Sequence, residues 1–142
     1  MAGSAGAPRF LEITVAESPL AKKLQVKAGA HVLVLDAPDG YLDELVPLPD
    51  GARVVERAHG HFDVVQAFVR TRAEVDRRAP IVIGSAKPGA VIWVCWPKQS
   101  AHVATDLNRD VLFEHLQRFG LRAVSNVSID ETWSALRFKT TG

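Results

Sequence analysis

One cysteine, Cys95, stands in 142 residues, so no internal disulfide can form. That excludes a disulfide-stapled secreted scaffold and fits a reducing compartment. An excess of one charge is lacking too: seventeen basic against sixteen acidic residues leave a formal net charge of +1. The basic residues are scattered, which gives no footprint for nucleic acid or an anionic membrane surface. No apolar run approaches the ~20 residues that span a bilayer. The opening MAGSAGAPRF has no basic segment leading into an apolar one, so it does not read as a signal peptide. Zinc needs three or four converging ligands, and His59-x-His61 has no paired thiol beside it. A Gly-Lys phosphate loop, a Gly-x-Ser-x-Gly elbow and aromatic-basic interleaving are all missing. Without that elbow, Ser100, His102 and Asp106 do not read as a catalytic triad. These absences leave a cytoplasmic globular protein whose partner is a small molecule or another protein, with no nucleic acid and no membrane. A chain of this length buries roughly two thirds of its unfolded surface as one domain.

What is present is organised around His31 to Tyr41, HVLVLDAPDGY. The apolar run Val32 to Leu35, bounded by turn residues, reads as a strand buried on both faces, the usual state of a central parallel strand. Asp36 to Gly40 is a tight turn, and Tyr41, Leu42 and Leu45 begin a helix that Pro47 and Pro49 stop. A strand, turn and helix in that order open a βαβ unit, whose ligand crevice lies at the carboxyl end of the strand. The turn Asp36, Ala37, Pro38, Asp39 and Gly40 is therefore the first candidate binding site.

The rest of the chain supports an open, mostly parallel α/β sheet with helices on both faces and a C-terminal antiparallel hairpin. Residues 1–9 read as a disordered tail and residues 10–142 as the single α/β domain. Phe10 to Val15 reads as a short strand or an arm laid on a neighbour. Ser18-Pro19 starts a helix through about Gln25, with a hydroxyl cap and proline in the first turn. Arg53 to Arg57 and Phe62 to Val69 are strands separated by only Ala58 to His61. Either they form a hairpin, or the link passes over the first strand and the two flank it. The second is preferred, since both look buried on two faces. Thr71-x-x-Glu74 is a capping box for a helix to about Arg78. Pro80 then begins a further helical turn through Ser85, with strand a competitor at Ile81 to Ile83. Lys87-Pro88-Gly89 reads as a turn before the strand Ala90 to Trp96. Thr105 or Asp106 caps a helix on which Val111, Leu112, His115, Leu116 and Phe119 recur at helical spacing, and Gly120 follows its end. Arg122 to Ile129 and Thr132 to Lys139 form the closing hairpin, whose free edge is a candidate surface for a homodimer.

The order of these elements resembles the S-adenosylmethionine-dependent methyltransferase fold. SPLAKKL, VLVLDAPDGY, FDVVQAFV, KPGAVIWVCWPK and DETWSALRF also resemble a family of small bacterial proteins, over about Ser18 to Phe138. The methyltransferase resemblance implies S-adenosylmethionine as cofactor, with Asp36 at the acidic position that ends the first strand. Ala37-Pro38-Asp39 stands where the first glycines of the turn belong, and Gly40 alone remains. Glu56 matches the carboxylate that accepts the ribose hydroxyls, and Gln66-Ala67 matches the catalytic-loop position. The Asn/Asp-Pro-Pro-aromatic turn of amino-group methyltransferases is absent there, and no third strand and helix stand between Glu56 and Phe62.

Lys98 and Thr105-Asp106 follow a strand end, so they are expected on the same sheet edge as Asp36, where a lysine meets a carboxylate or phosphate. Asp63 is expected to cap a strand edge, and His31 and His115 to be core histidines. Trp93, Trp96 and Trp133 are expected to pack core and edge, with Trp96 or Trp133 placed to stack on an adenine. Two functions follow. The first is a degenerate methyltransferase-like domain that binds a small molecule or a protein without catalysis. The alternative is a minimal S-adenosylmethionine-dependent methyltransferase, since methyl transfer is mainly a matter of proximity and orientation.

Overall fold

The computed structural model describes residues 17–140. The expected tail over residues 1–9 and the expected strand Phe10 to Val15 lie outside the described residues. The elements are α1 (Pro19–Lys23), β1 (His31–Leu35), α2 (Tyr41–Leu45), β2 (Arg53–Val55), β3 (Phe62–Phe68), α3 (Arg72–Ser85), β4 (Ala86–Pro97), a 3-10 turn (Gln99–Ala101), α4 (Arg109–Gln117), β5 (Leu121–Ser128) and β6 (Trp133–Thr140). They build a six-stranded sheet in the order β2-β1-β3-β4-β6-β5. The first four strands are parallel, and β6 runs antiparallel to both β4 and β5. Among the described residues no helix is long and apolar enough to cross a membrane.

β2 and β3 flank β1, so the short link does pass across the first strand. The register explains how. Val55 pairs beside Leu33 and Val64 beside Val32, so Phe62 starts only three residues below the level at which β2 ends. The gap is ~10 Å along the strands and ~10 Å across two strand spacings. Residues 56–61 cover that with ease at ~3.3 Å each. The brevity of β2 is what removes the need for a crossover helix.

The sheet is apolar on both faces. On one, α3 and α4 pack Val75, Ala79, Val82, Leu112 and Leu116 against Leu33, Val65, Ile92, Leu136 and Phe138. On the other, α1, α2 and the segment before β1 bring Ala21, Leu24, Tyr41 and Leu45 onto Val32, Val34, Trp93, Cys95 and Trp133. α1 is held by Ser18, whose Oγ accepts from the Leu20 and Ala21 amides and donates to the Glu44 carbonyl.

Four local expectations are corrected. α3 is one helix through Pro80, not two, and Ile81 to Ile83 is helical. Its buried positions Val75, Ala79 and Val82 keep one apolar stripe across the proline, so packing overrides local propensity. α1 ends at Lys23, short of Gln25. Lys87-Pro88-Gly89 lies inside β4 as a bulge: pairing jumps from Phe62–Ala86 to Val64–Val91, and Lys87 Nζ reaches Asp63 Oδ1 at 3.1 Å. α4 is capped by Asn108, whose Oδ1 accepts from the Val111 amide at 2.8 Å, rather than by Thr105 or Asp106.

Candidate functional site

The turn after β1 is built by backbone geometry. Gly40 adopts φ +82° and caps α2, a conformation that costs little only without a Cβ. The Tyr41 amide closes the turn onto the Pro38 carbonyl at 3.1 Å. Asp36 also lies in the left-handed region, at φ +61°, which aspartate tolerates better than most residues. Its carboxylate is clamped by Arg78 of α3, with Nε at 2.6 Å and Nη2 at 2.9 Å. That bidentate pair occupies the acidic group at the end of β1 and ties the turn to α3.

Ala37, Pro38, Asp39, Gly40, Leu42, Asp43 and Glu56 line one crevice of about 190 Å³. The β1–α2 turn and the residue after β2 thus come together, as the parallel pairing of β1 and β2 requires. Three carboxylates surround this crevice, and among the described residues none of Asp39, Asp43 and Glu56 has a hydrogen-bond or ion-pair partner. Its volume is below the ~300–1,000 Å³ of sites that enclose a drug-sized ligand.

Gln66 and Ala67 lie in β3 and are buried. Tyr41 donates to Gln66 Oε1 at 2.8 Å, and Gln66 Nε2 donates to Cys95 Sγ at 3.3 Å. The amide is spent inside the core and faces no crevice. Burial pushes the Tyr41 phenol far above its ordinary range and the Cys95 thiol up to about 12. Tyr41 also meets Phe68 edge to face at 4.7 Å, and Phe68 meets Trp133 at 5.0 Å.

Lys98 and Asp106 line a separate crevice of about 510 Å³ beyond β4, with Trp96, Thr105, Asn108 and Ser134. Its polar groups serve the fold. Lys98 Nζ donates to Ser128 Oγ at 2.6 Å, and Asp106 Oδ1 accepts from the Arg72 amide at 2.9 Å. Thr105 Oγ1 donates to the Arg70 carbonyl at 2.6 Å, and Asn108 caps α4. These residues share the carboxyl edge of the sheet with Asp36 but not its crevice.

The remaining candidates are structural. Asp63 sits at the opposite, amino edge and accepts from the His31 amide at 2.8 Å, which holds its carboxyl below the ordinary range. His31 is only half-buried, with Nε2 2.8 Å from Arg53 Nη2, and His115, largely covered at the margin of the core, is satisfied by Asp76 at 2.6 Å. His59 and His61 are exposed. Among the described residues no group of three or more His, Cys, Asp and Glu could hold a metal ion. Trp93 donates to the Leu24 carbonyl at 3.0 Å, and Trp133 is buried beneath the Arg70 guanidinium at 5.1 Å. Sequence reasoning missed Arg78, Tyr41 and Asp43 as parts of the site. Tyr41 and Asp43 carried a weak signal, adjacency to the turn, while Arg78 carried none.

No family model and no curated protein matches the sequence. Solved structures do match its fold. The chain superposes on the mitomycin 7-O-methyltransferase MmcR with a TM-score of 0.65 at 12% identity, covering 85% of this chain and 52% of that one. A SAM-dependent methyltransferase from Aquifex aeolicus gives 0.55 at 13% identity, covering 90% and 95%. A fibrillarin pre-rRNA processing protein from Methanococcus jannaschii gives 0.56 at 16% identity, covering 82% and 69%. The fold is a methyltransferase-like Rossmann fold, a mostly parallel sheet closed by an antiparallel hairpin.

Proposed function

We propose that this chain is a cytoplasmic methyltransferase-like domain that binds a small hydroxyl-bearing ligand and does not transfer methyl groups. The observation that carries the reading is a division of labour among the carboxyl-edge polar groups. Asp39, Asp43 and Glu56 stand uncommitted around one crevice, whereas Asp36, Gln66, Lys98 and Asp106 are each engaged by the protein itself. Uncommitted carboxylates only accept hydrogen bonds, so the ligand supplies the donors. Vicinal hydroxyls, as in the ribose of a nucleoside, have that chemistry. Gln66 is held by Tyr41 inside the core, so that side chain is not free to position a methyl acceptor.

The test is calorimetric titration with adenosine, S-adenosylhomocysteine and S-adenosylmethionine, beside a methylation assay with labelled S-adenosylmethionine. Adenosine is expected to bind near 100 µM, roughly −5.5 kcal/mol. Glu56→Ala removes one charge-assisted acceptor worth about 2 kcal/mol and weakens binding about thirtyfold without unfolding the protein. Unchanged affinity in Glu56→Ala rejects the site. Methyl transfer to any acceptor rejects the non-catalytic reading in favour of a minimal methyltransferase.

A further inference from the structure

Basic residues that lie apart in the sequence gather on one face of the closing hairpin. Arg122 of β5 stands directly opposite Lys139 of β6, and Ser125 opposite Arg137, which is paired in turn with Trp93 of β4. Side chains alternate along a strand, so Arg137 and Lys139, two residues apart, share a side of the sheet. That side is the one on which Trp93, Cys95, Trp133 and Ala135 pack. Cross-strand partners stand about 5 Å apart at Cβ, and alternate residues about 7 Å apart along the strand. Arg122, Ser125 and Lys139 are exposed and Arg137 is half-buried.

The protein does not answer this charge. α1, β4, β5 and β6 contain Lys22, Lys23, Lys87, Arg122, Arg137 and Lys139 but no acidic residue. Among the described residues the side chains of Arg122, Arg137 and Lys139 have no hydrogen-bond or ion-pair partner. Like charges set directly opposite each other on a sheet destabilise it. Arg137 Nε is, among the described residues, the one buried side-chain nitrogen or oxygen without a hydrogen-bond partner. A buried donor of that kind is commonly answered by a group from outside the chain, a water or an ion.

We infer that this face is a phosphate site, on which Arg122, Arg137 and Lys139 converge on one phosphate group of a small molecule, with the Ser125 hydroxyl as a further donor. A phosphate monoester carries close to two negative charges at neutral pH and three acceptor oxygens, which suits three cations better than a single carboxylate does. The arginine forks supply the paired donors that phosphate oxygens take. Three cations within a few ångströms make a patch for one group. A nucleic-acid strand instead engages several phosphates along a track. The inference is independent of the ligand reading, because the Gly40 crevice lies at the β1–β2 side of the sheet and this face at the other.

Calorimetric titration and melting of the full chain at low ionic strength test it, with inorganic phosphate as the probe and sodium chloride at matched ionic strength as the reference. Phosphate is expected to bind saturably and to raise the melting temperature, and chloride to do neither. Arg122→Gln and Lys139→Gln each remove one charge-assisted contact and weaken phosphate binding about tenfold. Both residues are exposed, so the variants fold. In phosphate-free buffer Lys139→Gln melts no lower than the wild type, because it relieves the repulsion from Arg122. Arg118→Gln, at the exposed end of α4, leaves the affinity unchanged. Phosphate that acts no differently from chloride overturns the proposal. So does equal weakening by Arg118→Gln, which would mean that only net charge matters. A single-stranded oligonucleotide that binds far more tightly than phosphate, with the salt dependence of several contacts, also overturns it and assigns the face to nucleic acid.

Discussion

Replacing Tyr41 by Phe removes one oxygen and leaves Gln66 Oε1 buried without a donor. Such an orphaned acceptor costs about 1–3 kcal/mol, because the amide cannot regain water where it lies. Gln66 is 1% exposed and Tyr41 2% exposed, so no solvent relieves the loss. Taking ~2 kcal/mol, and an unfolding entropy of ~2.1 cal/mol/K per residue, the melting temperature falls by ~7 °C. Gln66→Leu alone orphans the Tyr41 hydroxyl and costs a similar ~2 kcal/mol. The Cys95 thiol also loses a partner there, but sulfur is a weak acceptor and adds little. The double variant Tyr41→Phe, Gln66→Leu removes donor and acceptor together, so it is expected well above the sum of the singles. A coupling energy of about 1–2 kcal/mol should appear in a denaturant-unfolding double-mutant cycle. Singles that add within about 0.5 kcal/mol refute the reasoning, since they mean that the two groups do not depend on each other. The same cycle decides the role of Gln66. A residue held for a ligand would lose affinity on substitution and leave stability nearly unchanged.

Two further outcomes follow from the ionisable groups. Asp63 has its folded-state pKa depressed by the His31 amide and by Lys87, so its contribution is present above the ordinary carboxylate range and is lost as pH falls through the lower, folded value. Asp63→Asn is therefore expected to destabilise at neutral pH, with the penalty shrinking on acidification, in melting curves taken from pH 7 downward. A penalty that is constant with pH refutes the assignment. Cys95, buried and shifted up to about 12, should resist a thiol reagent at pH 8 in the native state and react as one thiol per chain only after unfolding. Rapid native labelling would show that the core around Gln66 opens locally.

Much of the fold was legible because its signals are local. The apolar run into β1, the Ser18 and Thr71 caps and the hairpin around Asp130 each declare themselves within a few residues, and all stand in the structure. The placement of β2 and β3 on either side of β1 was read correctly, but from a premise that holds for β3 alone: β2 is exposed at Arg53 and Val55, and only the register shows why so short a link suffices. The errors came where packing outvotes local propensity. Pro80 should break α3, but the stripe Val75, Ala79 and Val82 docks across it. Lys87-Pro88-Gly89 should be a turn between elements, but strand pairing resumes on either side and makes it a bulge.

The candidate site divides the same way. By itself the sequence determined where the crevice lies, since a strand, a turn with Gly40 and a helix fix the position of a βα turn through backbone conformation alone. It also marked Glu56, because a residue just past a neighbouring parallel strand must lie at the same edge. What each side chain does there was decided by tertiary structure. Asp36 meets Arg78 across 42 residues, Gln66 meets Tyr41 across 25 and Lys98 meets Ser128 across 30. A hydrogen bond depends on distances of a few tenths of an ångström between groups far apart in the chain, and no local pattern encodes those distances. Only the packed sheet and its helices separate the carboxylates the protein uses for itself from those it leaves open.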